Sequence, residues 1–105
     1  MLILLDGSKG AGKSTTSKIL IQYLNNVDYL SIDTIRRSLQ NQERSRADKN
    51  KEAFGIIITT TSESLKSGRN VIVDCGLIPG RIKIFENLAN ETNSKIYKFF
   101  RKKFY

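Results

Sequence analysis

The stretch MLILLDGSKGAGKST, residues 1–15, decides the fold. Met1–Leu5 is a continuous apolar run, which is typical of a strand buried on both faces of a sheet. From Lys13 onward apolar residues recur three and four positions apart, which predicts an amphipathic helix that ends near Asn25 and Asn26. A glycine-rich segment therefore connects a buried strand to a helix.

The connecting segment Gly7–Ser14 fits the pattern G-x-x-x-x-G-K-[ST] of phosphate-binding loops. Glycines let backbone N–H groups turn inward around phosphate oxygens, because no Cβ atom blocks the approach. The N-terminus of the following helix directs more N–H groups toward the same oxygens. We predict that the segment binds ATP with Mg²⁺; the alternative is a glycine-rich turn that binds nothing. The predicted nucleotide-binding residues are Gly7, Ser8, Lys9, Gly10, Ala11, Gly12, Lys13, Ser14 and Thr15.

Three side chains of this segment have predicted roles. Lys13 supplies a mobile positive charge to the β- and γ-phosphates, and is therefore a predicted catalytic residue. Ser14 offers its hydroxyl to Mg²⁺. Thr15 is placed to hydrogen-bond the α-phosphate.

Strand and helix patterns alternate along the remaining chain. Ala53–Leu65 contains many residues with strand propensity, but its apolar residues keep helical spacing, so we predict a helix that Gly68 ends. Asp33 or Thr34 is expected to cap a shorter helix. The further predicted strands are Val27–Ile32, Asn70–Val73 and Lys95–Phe100, and a last helix is predicted to begin at Pro79.

This alternation predicts one α/β domain over residues 1–105, with a parallel sheet between helices. The 18 basic and 10 acidic residues give a formal net charge of +8, which favours an anionic partner or a basic, solvated surface. The absence of histidine excludes a Ser-His-Asp triad, and the single cysteine, Cys75, excludes an internal disulfide. No apolar run is long enough to span a bilayer and no secretory signal is recognisable, so we expect a cytoplasmic protein without a membrane partner.

Carboxylates are predicted at the ends of two strands, where ligands bind to open parallel sheets. Asp74 follows the apolar run Val71–Val73 and is a predicted Mg²⁺ ligand; the alternative is a residue that caps the turn before Pro79. Asp33 is a predicted catalytic base for transfer to a hydroxyl, and its alternative role is the helix cap. Arg36, three residues later on the same helix face, is a predicted partner for an acceptor phosphate or a solvated surface residue.

The loop, the segment Ser31–Arg36 and the segment Val71–Asp74 together resemble the P-loop kinases of the polynucleotide kinase type. Zeta toxins and chloramphenicol phosphotransferases are wider relatives, and the likeness extends from Met1 to about Phe100. The resemblance implies that Asp33 is the general base and that Arg36 binds the acceptor. It also implies a three-layer fold with strand order 2-3-1-4-5, which sets Asp74 beside the loop.

Kinases of this type continue with a helical lid that carries arginines and with a fifth strand. The sequence stops at Tyr105, so we expect the order 2-3-1-4 without the last strand and lid, as in the N-terminal part of a longer kinase. Arg81 is a candidate substitute for a lid arginine. Strand four is then an exposed apolar edge at Tyr97, Phe99 and Phe100, which invites self-association.

We therefore expect an ATP-dependent kinase that transfers the γ-phosphoryl group to a hydroxyl of a small molecule or of a polynucleotide end. The alternative is an ATP-binding module without transferase activity. A GTPase switch is disfavoured, because Asp74–Leu77 does not fit D-x-x-G and no N-K-x-D motif is present.

Overall fold

The computed structural model describes residues 1–6, 21–39 and 46–99. Residues 21–23 are helical, which agrees with the predicted end of the helix after the loop. The described strands are β1 (Leu2–Leu5), β2 (Val27–Ser31), β3 (Asn70–Asp74) and β4 (Ile96–Phe99). The described helices are α1 (Ile32–Ser38), α2 (Arg46–Lys66) and α3 (Pro79–Glu91).

The four strands form one parallel sheet in the order β2-β3-β1-β4. This confirms the predicted α/β fold and strand order. Leu5 is paired with Asp74 on β3 and with Phe99 on β4, and Asp74 is also paired with Ser31 on β2. Because the strands are parallel and end in register, their C-terminal residues lie along one side of the sheet, which we call the carboxyl edge.

The sheet separates the core into two apolar clusters, one on each face, and β1 contributes to both. Leu2 and Leu4 lie in the larger cluster, with residues from β3, α2 and α3 such as Val73, Ile57 and Phe85. The alternate residues of the sheet form the smaller cluster on the opposite face, which consists of Ile3, Leu5 and Ile72, with Met1, Leu24 and Val27 packed against it. The prediction of a first strand buried on both faces is confirmed.

The helix predicted over Ala53–Leu65 is confirmed and forms most of α2. It ends as predicted at Gly68, whose φ of +79° is a left-handed conformation that glycine adopts without steric cost. Gly68 N–H donates to Leu65 O at 3.1 Å and Arg69 N–H donates to Ser64 O at 3.0 Å, so two carbonyl groups at the helix end are satisfied.

The start of α1 differs from the prediction. The helix begins at Ile32, and Ser31 takes the N-cap position with extended backbone, so the expected cap at Asp33 or Thr34 is wrong. Ile32 and Ile35 pack against the larger core cluster, and this packing fixes where the chain changes from strand to helix. Asp33 consequently lies in the first turn, where its negative charge interacts favourably with the positive end of the helix dipole.

A membrane span is not found in the part of the chain that the structure describes, where no helix combines the required length with sufficient apolar character.

Gly55 offers a test of helix propensity within α2. Nothing lies within 4 Å of a Cβ atom built at Gly55, so alanine fits without a clash. We expect Gly55→Ala to increase the free energy of unfolding by about 0.5–1 kcal/mol, because glycine in a helix interior has the larger entropy loss on folding. Chemical denaturation would measure the change.

Gly68→Ala is the matched control for this substitution. Space is also open around Gly68, but its positive φ disfavours a Cβ atom, so we expect destabilisation by about 1 kcal/mol. An equal effect of the two substitutions would contradict the assignment of Gly68 as the end of α2.

A polar cluster ties β2, α2 and β3 together at the opposite end of the sheet. Arg69 donates to Asp28 from Nε at 2.9 Å and from Nη2 at 2.8 Å, and Ser64 Oγ donates to Asp28 at 2.7 Å. The hydrogen bonds from Arg69, followed by that from Ser64, hold the pKa of Asp28 below its usual range. The same ion pair raises the pKa of Arg69.

This pKa shift predicts a pH-dependent stability. A carboxyl group whose folded pKa is lowered stabilises the fold above its unfolded pKa of about 3.9, and the stabilisation is lost as the pH falls through the folded pKa. Asp28→Asn should therefore lower the free energy of unfolding by roughly 0.5–1 kcal/mol at pH 7, a modest value because the pair is partly exposed. The difference from the parent should shrink below about pH 4.

Denaturation at a series of pH values would measure this difference. Glu86→Gln is the control, because Glu86 contacts Lys98 at the longer distance of 3.4 Å in an exposed pair. A destabilisation by Asp28→Asn that stays constant down to the acid range would contradict the ion-pair explanation.

Candidate active site

The carboxyl edge brings the predicted site residues of the described chain together. Asp74 is the last residue of β3, and Asp33 and Arg36 lie on α1, which follows β2 without an intervening loop. Since β2 and β3 are neighbours in the sheet, one predicted carboxylate ends β3 and the other lies two residues beyond the end of β2. Asp6 follows β1 at the same edge and directly precedes the predicted loop.

Asp74 is buried, with 8% of its surface exposed, and is paired with Leu5 of β1 in the sheet register. It therefore lies next to the strand that leads into the loop. The hydroxyl of Tyr29 donates a hydrogen bond of 2.8 Å to Asp74 Oδ2. One carboxylate oxygen is thus held by a side chain from β2.

Asp6 fixes the chain on both sides of β1 where the loop begins. Its backbone N–H donates to Phe99 O at 3.0 Å, on β4. Its side-chain Oδ1 accepts a hydrogen bond of 3.2 Å from the N–H of Leu77, in the connection between β3 and α3. The residue before the loop is consequently tied to both neighbouring chain segments.

Asp33 and Arg36 form an ion pair that α2 supports. Arg36 Nη2 donates to Asp33 Oδ1 at 2.9 Å, and Arg36 Nη1 donates to Asn50 Oδ1 at 3.0 Å. The Asp33 side chain is 44% exposed and that of Arg36 is 21% exposed. The carboxylate can therefore be reached from solvent, while the guanidinium group is held between two helices.

Arg81 is held by a carbonyl group and an aromatic ring. Its Nη1 donates to Gly76 O at 3.0 Å, two residues beyond the end of β3. Its guanidinium carbon lies 4.9 Å from the centre of the Phe54 ring, which meets Phe85 edge-on with ring centres 5.9 Å apart. A cation over an aromatic face is attracted by the ring quadrupole. Arg81 thus lies close to the chain that leaves the carboxyl edge.

The described residues fit a Mg²⁺ site of the kind completed by phosphate oxygens. Among residues 1–6, 21–39 and 46–99, no three carboxylate, thiol or imidazole groups converge as they would in an all-protein metal cage. Mg²⁺ is usually bound by one or two carboxylates with waters and substrate phosphates, and Asp74 is a buried oxygen donor of that type. Ser14, the other predicted ligand, lies outside the described residues.

A family model described as an AAA domain matches residues 2–103, nearly the whole chain. The chain belongs to this AAA domain family. A comparison with curated proteins finds no match.

Solved structures with the same fold as this AAA domain include a candidate kinase from Chloroflexus aurantiacus, at a TM-score of 0.75 and 20% identity. The alignment covers 92% of this chain and 56% of that chain. A Pnkp1/Rnl/Hen1 complex matches at a TM-score of 0.76 and 21% identity, over 93% of this chain and 34% of the other. A Pnkp1/Rnl/Hen1 RNA repair complex matches at a TM-score of 0.68 and 20% identity, over 93% and 32%.

The AAA domain thus spans about half or a third of the length of these solved chains. The predicted resemblance to P-loop kinases of the polynucleotide kinase type is confirmed by the family and the fold. Together these findings establish the family and the fold of the chain.

The predicted loop of the AAA domain, Gly7–Ser14 with Thr15, lies outside the described residues, and so does Lys13 as its catalytic residue. The structure does bring Asp33 into contact with Arg36 and places Asp74 on the neighbouring strand. Sequence reasoning missed three supporting residues: Tyr29, Asn50 and Phe54. Each contacts a residue distant in sequence, so only the strand register and the helix positions could have indicated it.

Proposed function

We propose that this AAA domain is the nucleotide-binding part of an ATP-dependent kinase that transfers the γ-phosphoryl group to a hydroxyl group of an acceptor. The acceptor is a small molecule or a polynucleotide end. The observation that carries the proposal is the Asp33 carboxylate, 44% exposed and oriented by Arg36, on the helix that follows the strand paired with β3. Phosphoryl transfer depends mainly on positioning and charge stabilisation, and this arrangement supplies groups for both.

The phosphate-binding residues Gly7–Thr15 cradle the triphosphate in this proposal, with Lys13 against the β- and γ-phosphates. Ser14 and Asp74 would hold Mg²⁺. When bound, Mg²⁺ neutralises charge on the β- and γ-phosphate oxygens. The fixed position of Asp6 supports the phosphate-binding role of these residues, because hydrogen bonds on two sides hold the residue that directly precedes them.

Asp33 accepts the proton of the acceptor hydroxyl. A general base must come within hydrogen-bond distance of that proton, and the partial exposure of Asp33 leaves it accessible to an acceptor. Its contact with Arg36 keeps the carboxylate oriented without burying it.

Arg36 binds an anionic group of the acceptor. Its guanidinium group has five N–H donors, and the described contacts to Asp33 and Asn50 use two of them. The planar group remains able to offer a pair of donors to a phosphate or carboxylate. Asn50 orients this group from α2.

The β4 strand is a second surface of interest, because it forms one edge of the described sheet. Tyr97 and Phe99 are each 45% exposed on this strand. An exposed apolar edge pairs readily with another strand, so we propose self-association through β4. We also propose the cytoplasm as the compartment, where ATP is supplied.

Asp33→Asn tests the catalytic proposal. We expect phosphate transfer from labelled ATP to a panel of hydroxyl acceptors to fall by about 10²- to 10⁴-fold, because the proton acceptor is lost. ATP affinity measured by calorimetry should stay unchanged, because Asp33 does not contact the triphosphate in this proposal. Lys13→Glu should abolish ATP binding.

Asp28→Asn is the matched control, because it makes the same chemical change at the opposite end of the sheet. A large loss of ATP affinity in Asp33→Asn would contradict the base assignment. ATP binding by the parent without transfer to any acceptor would instead support a binding module. No ATP or GTP binding by the folded parent would refute the nucleotide-binding proposal itself.

A further inference from the structure

Tyr29 reaches from β2 to the carboxylate at the end of β3. In the register of the two strands Tyr29 is opposite Ile72, two residues before Asp74. Side chains two residues apart on a strand point to the same face, so Tyr29 and Asp74 share a face of the sheet. Two residues of strand advance by about 6.6 Å, which only a long side chain with a terminal donor can bridge. The observed bond from Tyr29 Oη to Asp74 Oδ2 is 2.8 Å.

Core packing does not account for the choice of tyrosine. Tyr29 is 39% exposed, and it does not belong to either apolar cluster of the described core. The β2–β3 pairing runs over all five residues of each strand, so the sheet does not need this side-chain bond to hold the strands together. The hydroxyl group instead contacts the Asp74 carboxylate, which accepts its hydrogen bond.

A carboxylate at a strand end can rotate about its side-chain bonds unless a partner holds it. A hydrogen bond to an ionised acceptor is stronger than one between neutral groups, and it fixes the direction of the acceptor oxygen. Partners that orient a metal-binding carboxylate influence metal affinity, and their loss typically costs about 10- to 100-fold.

We propose that Tyr29 is a positioning residue that orients Asp74 for Mg²⁺ in the complex with ATP. This inference rests on the proposed metal role of Asp74. Tyr29 touches neither the acceptor nor the triphosphate in this arrangement, and it acts through the Asp74 carboxylate. It therefore sets how much Mg²⁺ strengthens ATP binding, without setting how well ATP binds in the absence of metal.

Tyr29→Phe removes the hydroxyl group and keeps the ring. The quantity to measure by calorimetry is the magnesium gain, defined as the ratio of the ATP dissociation constants without and with saturating Mg²⁺. We expect Tyr29→Phe to reduce the magnesium gain by roughly tenfold and to leave metal-free ATP affinity unchanged. Tyr97→Phe is the matched control, since Tyr97 is a similarly exposed strand tyrosine, and it should change neither quantity.

The double variant with Asp74→Asn shows whether Tyr29 acts through Asp74. Asp74→Asn should reduce the magnesium gain at least as much as Tyr29→Phe, and adding Tyr29→Phe should then have no further effect. Independent, additive losses in the double variant would overturn the proposal. So would an unchanged magnesium gain in Tyr29→Phe while Asp74→Asn lowers it, and in that case the metal role of Asp74 would stand.

An unchanged magnesium gain in Asp74→Asn, with normal ATP binding, would overturn the metal role of Asp74 and this inference with it. A second measurement covers a failure of Tyr29→Phe to fold. The four tyrosines of the parent chain are replaced by 3-fluorotyrosine, and the ¹⁹F resonance that shifts in Asp74→Asn is assigned to Tyr29. That resonance should shift when Mg²⁺ is added to the ATP complex; its failure to shift overturns the proposal.

Discussion

The burial of β1 on both faces is the constraint on which the remaining structure depends. Its four apolar residues are inaccessible to solvent because β3 and β4 flank them and apolar clusters cover both faces. A strand in this position has its C-terminal end in the middle of the carboxyl edge. The hydrogen bonds of Asp6 then fix the last described residue before the predicted phosphate-binding segment. The burial of β1 thus determines the position of Asp6.

The polar side chains divide between the two ends of the sheet and have different surroundings there. At the amino end, Asp28 accepts three hydrogen bonds from Arg69 and Ser64, and the charge is neutralised within the fold. At the carboxyl edge, Asp33 and Arg36 remain partly exposed, and the described contacts of Arg36 use two of its five N–H donors. Satisfied charges hold the fold together at one end, and accessible charges lie where a ligand binds to a parallel sheet.

Much of this arrangement is predictable from the sequence, because it depends on local patterns. The spacing of apolar residues distinguishes α2 from a strand despite its β-branched residues, and Gly68 marks its end. The strand ends place Asp33 and Asp74 at one edge as soon as the sheet is known to be parallel. The start of α1 was mispredicted because Ile32 and Ile35 pack into the core, and this tertiary packing outweighs the capping preference of Asp33.

Contacts between distant segments could not be predicted in the same way. The bond between Tyr29 and Asp74 depends on the register of two strands, which the sequence does not state. The bond between Asn50 and Arg36 depends on how α2 lies against α1. Tyrosine on a strand and asparagine on a helix are common, so nothing in the sequence marks Tyr29 or Asn50 as partners of these site residues.

The 21 residues of α2 form a rod about 31 Å long that reaches from one end of the sheet to the other. Near the C-terminus of α2, Ser64 donates a hydrogen bond to Asp28. Nearer its N-terminus, Asn50 contacts Arg36 and Phe54 contacts Arg81. The helix is therefore held by side-chain contacts near both of its ends. A tilt of α2 would break the bond between Ser64 and Asp28 or would displace Arg36 and Arg81 together. The positions of the two guanidinium groups are therefore coupled through this helix.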